Sequence, residues 1–410
     1  MSKIRIKNFG PIKEGFSDDD GNEWMDIKKV TVFIGDQGTG KSSVAKLFSS
    51  FIWFEKALNR GDYNNKNLPD IVELLTYQGV QNYLLDRTEI DYVGECYTIK
   101  FSKKNGTAIN RKTTDEYVVP KIMYVPAERN FLSTIASAYD VKGLPGPLTT
   151  FAQELKRANI ELDGIKIDLP IRDYAYRYDY NRDVSQILGP GYSINLLEAS
   201  SGLQSLVPLY VVSRNLTRSI TDSDDDFNSN ISVNQRIRKE QELNKVTLDN
   251  SLSEEEKEKQ IDRIKARFHN KCFINIVEEP EQNLFPISQR NILNSLLEFN
   301  NNNGNELIIT THSPYIINYI SLSIKAHLVS QKIEQYGKKE ELNKKLNKIV
   351  PGKSIIDPED LIIYELDDDG KIIKLGDYKG LPSDKNYLNK QLAETDYLFD
   401  DLSEIAKLCR

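Results

Sequence analysis

The stretch VTVFIGDQGTGKSS, residues 30–43, decides the fold. An apolar run ends in a glycine-rich turn, and a helix-forming segment from Lys41 through Ala57 follows, which is the order strand, phosphate loop, helix. Gly35, Asp36, Gln37, Gly38, Thr39, Gly40, Lys41 and Ser42 fit G-x-x-x-x-G-K-[ST] at every position, with Ser43 next in line. The glycines let backbone N–H groups wrap a β-phosphate, Lys41 neutralises β and γ oxygens, and the Ser42 hydroxyl ligates Mg²⁺. A strand feeding such a loop belongs to an α/β sheet whose ligands sit at the carboxyl ends of its strands.

Three further segments bear on that edge. In FINIVEEPEQNLFP, residues 273–286, a buried strand delivers Glu278 and Glu279. One carboxylate is expected to hold the magnesium shell and the other to orient or deprotonate the attacking water; Glu278 is assigned to the metal and Glu279 to water. Adjacent residues on a strand point opposite ways, which suits that division. In LIITTHSPYII, residues 307–317, a second strand ends at Thr310, Thr311 and His312, whose imidazole can hydrogen-bond a γ-phosphate and the water. Roughly thirty residues of helical pattern separate the two strands, as a parallel β-α-β unit requires.

The last segment, EASSGLQS at 198–205, places Ser201 and Gly202 at the start of an apolar helix. The first N–H groups of a helix are unpaired and lie at the positive end of its dipole, so they bind anions. Taken alone, a serine there is ordinarily an N-cap.

Composition bounds the rest. A chain of 410 residues has room for two or three domain-sized units, and 39% hydrophobic with 28% charged residues is the balance of a globular protein. With no run of 18 apolar residues and no signal-peptide core in MSKIRIKNFGPIK, the expectation is a cytoplasmic protein without a membrane part. Cys96, Cys272 and Cys409 lack any paired spacing, so neither a disulfide framework nor a zinc site is indicated. A net charge of −7 argues against a chain that is basic throughout.

Along the chain, Ile4 and Ile6 alternate with Arg5 and Lys7 as in a half-buried strand, and KKNGT at 103–107 predicts a hairpin. Tyr174, Tyr176, Tyr178 and Tyr180 alternate through another strand, with Arg172, Arg177 and Arg182 interleaved; a sheet face in the core or at an interface is preferred over base stacking. Residues 220–270 are the most polar part, with Ile261, Ile264 and Phe268 as one apolar stripe. In YELDDDGKI, Glu365, Asp367, Asp368 and Asp369 read as a hairpin turn, and a polar helical tail closes the chain.

Ordered as phosphate loop, SSGLQ, Glu-Glu strand and histidine, the chain resembles the ABC-type ATPases of the SMC, RecF and OLD branch, over about residues 1 to 330. SSGLQ resembles that family's LSGGQ signature: Ser201 and Gly202 fall on its serine and first glycine and Gln204 on its glutamine, while Leu203 replaces the second glycine. The resemblance implies an α/β ATPase head with a mixed sheet, an antiparallel β subdomain and a helical lobe. It implies ATP and Mg²⁺ as cofactors. It also implies head-to-tail dimers, in which one copy's signature helix closes on ATP held by the other's phosphate loop and Glu281 to Pro286 touch the partner. VPAERN at 125–130 occupies the place of the family's Q-loop without its glutamine, leaving Glu128 and Arg129 as substitutes. The expected units are 1–140 (first half of the head), 141–219 (signature lobe), 220–270 (charged insert), 271–330 (second half of the head) and 331–410 (hairpin and tail). There is no long coiled coil, and the acidic turn does not read as the Toprim domain of OLD nucleases, so nuclease activity is not expected of this chain. Stand-alone ATPases of this kind are similar to components of the Septu, retron and PARIS anti-phage systems. That implies an ATP-driven switch or scaffold for an effector such as a nuclease or toxin; the alternative is a RecF-like or SMC-like repair ATPase acting on nucleic acid.

Overall fold

The computed structural model describes residues 2–63, 70–113, 117–135, 141–221, 233–249, 251–302, 304–335 and 339–408. The acidic run after Thr221 and Cys409 lie outside them. The opening alternation forms β1 (Lys3–Phe9), with Ile4 and Ile6 buried. Short strands β2 (Gly15–Phe16) and β3 (Met25–Asp26) lead into β4 (Val30–Gly35), which is buried along its whole length and feeds the 20-residue helix α1 (Lys41–Arg60). After α2 (Ile71–Tyr77) come β5 (Leu84–Val93), the predicted hairpin β6 (Tyr97–Ser102) and β7 (Gly106–Arg111), and then β8 (Pro120–Val125).

The lobe comprises α3 (Gly146–Glu161), the strands β9 (Ile167–Asp168), β10 (Ala175–Asp179), β11 (Val184–Gly189) and β12 (Tyr192–Asn195), and α4 (Ser201–Thr221). The charged insert is a helical pair, α5 (Val233–Thr247) and α6 (Glu254–Phe268). β13 (Cys272–Glu278), α7 (Pro286–Asn300), β14 (Glu306–Thr310) and α8 (Pro314–Glu334) follow. The chain ends with α9 (Lys339–Asn347), β15 (Leu361–Leu366), β16 (Lys371–Lys374) and α10 (Tyr387–Leu408).

These strands build a seven-stranded mixed sheet in the order β2-β16-β15-β4-β14-β13-β8, in which the five strands from β15 to β8 run parallel. An antiparallel sheet, β3-β1-β5-β6-β7, forms the β subdomain, and β12-β11-β10-β9 forms a second one in the lobe. The fold is therefore mixed α/β with the antiparallel subdomain and helical lobe that the sequence predicts.

Period-two alternation puts a core on each face of the main sheet. Val30, Val32 and Ile34 of β4 face a cluster with residues of α3, α4, α7 and α8, whereas Phe33 faces α1 and the β subdomain. Fully burying each such side chain contributes about 1.5–3 kcal/mol, so these two layers fix the strand order. Tyr176 and Tyr178 belong to the first cluster, with the Tyr176 hydroxyl donating to Asn159 at 2.8 Å. The tyrosine strand is thus a core face, and its base-stacking reading loses its two central rings.

The C-terminal hairpin, expected apart from the head, joins the main sheet: β15 pairs in parallel with β4 from Leu361 opposite Val30 to Leu366 opposite Gly35. A Cβ on Gly35 would meet the Leu366 carbonyl oxygen at 2.3 Å, and φ there is 141°, so this turn requires glycine. The helical insert lies against the end of α1, where Arg238 donates to Asp62 at 2.5 Å and Arg267 to Glu242 at 2.7 Å. On its apolar stripe Ile264 and Phe268 are buried and Ile261 only partly so. α10 departs from the expected polar tail, since Tyr397, Phe399, Leu402 and Leu408 are exposed along it. No described helix is long and apolar enough to cross a membrane.

Candidate active site

The parallel strands bring four chain segments to one edge of the sheet. β4 ends at Gly35, its neighbour β14 at Thr310, the next strand β13 at Glu278, and β8 at Val125. In the loop after β4, Gly40 caps α1 with a left-handed φ of 103°, and Thr39 Oγ1 donates to the Asp36 carbonyl at 2.9 Å. The buried Lys41 ammonium lies back over the loop, donating to the Gly35 and Asp36 carbonyls at 2.9 and 2.6 Å. Burial lowers its pKa to about 8, against the pull of the Glu279, Asp36 and Glu281 carboxylates. Asp36, expected only as a loop residue, accepts from its neighbour Gln37 N–H at 2.6 Å and from the Tyr387 hydroxyl of α10 at 2.8 Å. Gln37, Gly38 and Ser42 are exposed, whereas Ser43 is buried.

Glu278 is buried and faces β8. Its Oε1 accepts from the Tyr124 hydroxyl at 2.5 Å and its Oε2 from the Ala127 N–H at 3.0 Å. Burial, with Glu278 beside it, holds the Tyr124 phenol well above its ordinary range, so it stays a donor. No hydrogen bond among the described residues joins Ser42 to Glu278. A carboxylate offers about four lone-pair positions, so two donors leave Glu278 with capacity for a metal shell.

Glu279 lies beyond the strand at a left-handed φ of 43°, with its N–H donating to the Thr310 carbonyl at 2.9 Å. Its separation from Glu278 therefore comes from a backbone turn instead of strand alternation. Its Oε1 is 3.2 Å from His312 Nε2, and that contact holds the Glu279 carboxyl below its ordinary range. Glu281 turns inward: its carboxylate accepts from the Thr311 hydroxyl at 2.7 Å and the His312 N–H at 2.8 Å, while burial pushes its pKa up. In the segment expected to meet a partner, it is Asn283 and Phe285 that are exposed.

α4 starts at Ser201, which is exposed, and Gly202 packs so closely on the turn after β13 that a Cβ would lie 2.8 Å from the Asn283 carbonyl oxygen. Gln204 is occupied locally, its amide donating to the Leu196 and Leu197 carbonyls at 3.3 and 3.0 Å. Among the described residues no hydrogen bond or ion pair links Ser201, Gly202 or Gln204 to residues 35–43 of the same chain. Lys41, Glu279 and His312 are gathered at one edge, and the α4 N-terminus stands apart from it.

The residue that joins these parts is Arg129, which VPAERN marks only by its position in the chain. Pro208 lies inside α4 and lacks an N–H, so the Gln204 carbonyl one turn earlier loses its helix donor. Ser133 Oγ donates to the Gln204 carbonyl at 2.9 Å and Arg129 Nε to the Ser205 carbonyl at 3.1 Å. The same guanidinium donates to the Glu278 carbonyl at 2.7 Å and the Glu279 carbonyl at 2.6 Å. It is completely buried, which lowers its pKa to about 10. Glu128, the other substitute, is exposed. The proline within α4 signals the need for one donor from outside the helix, which Ser133 supplies; no sequence pattern marks the Arg129 contacts.

A model of the AAA ATPase domain family matches residues 251–317, a span containing Glu278, Glu279 and His312 but not the phosphate loop. No curated protein matches the chain. Among solved structures the chain is similar to the SMC head domain from Thermotoga maritima, at 12% identity over 77% of this chain and 90% of that one, with a TM-score of 0.34. It is similar also to an Smc head domain with an extended coiled coil, bound to the C-terminal domain of ScpA, derived from Pyrococcus furiosus: 11% identity, 98% and 100% coverage, TM-score 0.38. A dimeric, post-hydrolysis ATP-binding cassette bound to ADP and Pi is similar at 12% identity, 78% and 91% coverage and a TM-score of 0.26.

Proposed function

We propose that this chain is a Mg²⁺-dependent ABC-type ATPase whose ATP site is completed by a second copy of itself. The observation that carries the reading is the Glu279–His312 pair, 3.2 Å apart at the carboxyl ends of neighbouring parallel strands and within electrostatic reach of Lys41. A phosphate chain suits the loop, because the buried Lys41 ammonium has only carbonyl partners and the N-terminus of α1 opens beside it. Gly35 to Gly40 wrap the β-phosphate, Lys41 takes β and γ oxygens, and Ser43 follows inside the first turn. Ser42 and Glu278 hold the magnesium shell, whose ion supplies charge neutralisation to the phosphates. Glu279 orients and deprotonates water, and His312 hydrogen-bonds the γ-phosphate.

Ser201, Gly202 and Gln204 then serve the ATP of the partner copy, consistent with an exposed helix start that has no anion in its own chain. Ser201→Arg is expected to leave ATP binding within about twofold but to abolish ATP-induced dimers and turnover. Nucleotide titration, light scattering and phosphate release check this. A plain N-cap predicts only about 1 kcal/mol of lost stability and intact turnover.

We further read the ATPase as a switch or scaffold for an effector, a nuclease or toxin, in anti-phage defence. In support, α10 begins on the phosphate loop through Tyr387 and Asp36 and carries exposed apolar side chains to its end. The nucleic-acid alternative finds less: Tyr176 and Tyr178 are buried, and Lys339, Lys344 and Lys345 each pair with a glutamate. Salt-sensitive DNA binding in gel shifts, with no effector recovered alongside a hydrolysis-dead form, would reverse that preference.

A further inference from the structure

A cavity of about 540 Å³ lies between α1, α2, α3, β8 and the end of α6, and no phosphate-loop residue lines it. That size lies within the usual range of ligand pockets, about 300–1,000 Å³. Its wall contains buried polar atoms that make no hydrogen bond among the described residues. Ser50 Oγ and Gln78 Oε1, on side chains 5% and 3% exposed, make no hydrogen bond. Glu154 Oε2 and Arg157 Nη1 form an ion pair at 3.6 Å that is too long for a hydrogen bond. Buried polar groups are ordinarily paired, so several unpaired ones converging on one cavity point to a missing ligand.

The cavity is also short of negative charge. Lys121 and Arg157 share the single carboxylate of Glu154. Among the described residues Lys56 has no carboxylate partner; its ammonium donates to the Pro120 carbonyl and, at 2.7 Å, to Asn270 Oδ1. Burial, together with the neighbouring Arg60 and Lys121 cations, drives its pKa well below the ordinary lysine value, and an anion in the cavity would relieve that. The rings of Trp53, Tyr63 and Tyr77 also line the cavity and offer π-faces and edges.

We propose that this cavity binds a mononucleotide, with its phosphate toward Lys56, Lys121 and Arg157, its base against Trp53 and Tyr77, and an exocyclic amino group donating to Gln78. This is a site separate from the ATP site and does not depend on the ATPase reading.

Trp53 lies in the wall and Trp24 is the chain's other tryptophan, so Trp24→Phe leaves a single fluorescent reporter inside the cavity. The full chain with Trp24→Phe is titrated with AMP, GMP, CMP and UMP. At least one is expected to change Trp53 emission saturably, to do so equally after Lys41→Ala, and to bind roughly tenfold or more weakly after Gln78→Leu or Arg157→Met. Gln78→Leu removes an unpaired atom, so folding is not at stake in that variant. Absence of a saturable response to all four nucleotides overturns the proposal. So does a response that Lys41→Ala removes, or one that neither cavity substitution weakens.

Discussion

Glu279→Gln is expected to lower ATP turnover by about 10²- to 10⁴-fold while leaving ATP bound, the range over which a positioned general base contributes. The amide keeps the size and the hydrogen-bonding reach of the carboxylate, so the turn at φ 43° and the approach of His312 can persist. What is lost is the ability to take a proton. The wild-type carboxyl, held below its ordinary range by His312, is ionised at neutral pH and free to accept from water, although the lowered value makes it a weaker base. Phosphate release gives the rate, and size exclusion in ATP should show dimers accumulating in the variant but not in the wild type. Turnover within a few-fold of wild type would remove Glu279 from the reaction, and loss of ATP binding would make it a structural residue of the loop.

Arg129→Met should cost at least about 3 kcal/mol of stability, read as a fall in the urea midpoint of the main transition. The replacement matches the length of the aliphatic stem but removes the guanidinium donor from the Ser205, Glu278 and Glu279 carbonyls, while Pro126 keeps the backbone N–H of residue 129. Each buried acceptor left without a partner costs roughly 1–3 kcal/mol. The same substitution removes a link between α4 and the acid-bearing turn, leaving the Asn283 amide to Ser205 Oγ bond at 3.1 Å, so turnover should fall even at temperatures where the variant stays folded. Arg129→Lys, with one nitrogen in place of a planar fork, should recover only part of either loss. Unchanged stability would mean that water serves those carbonyls as well as the guanidinium does.

Much of the chain's organisation is legible in the linear sequence where the required residues are contiguous. A phosphate loop needs one strand end, one glycine-rich turn and one helix start, and all three lie within residues 30–43. The same holds for the β-α-β unit that carries Glu278, Glu279 and His312, for the 103–107 hairpin, and for the tyrosine strand, where alternation by itself marks a core face. The order of the sheet was less accessible. That β15 completes the edge beside β4 depends on pairing across more than three hundred residues, and the hairpin pattern of 361–374 shows only that two strands pair with each other.

Side-chain direction after a strand ends is likewise a tertiary matter. Alternation predicts where Glu279 points only while the strand continues, and the strand stops at Glu278 because Glu279 takes a left-handed φ of 43°. Glu281 turns inward because the segment after β14 supplies the Thr311 hydroxyl and the His312 N–H that satisfy it. Arg129 reaches carbonyls 76, 149 and 150 residues away, and no local pattern specifies such partners. By itself, then, the sequence determined which chemical groups this protein possesses and the local elements that carry them, because backbone geometry at a motif is set by near neighbours. Only the tertiary structure decided which of those groups face one another and which buried donors hold them there, because buried polar atoms must find partners wherever the fold brings them.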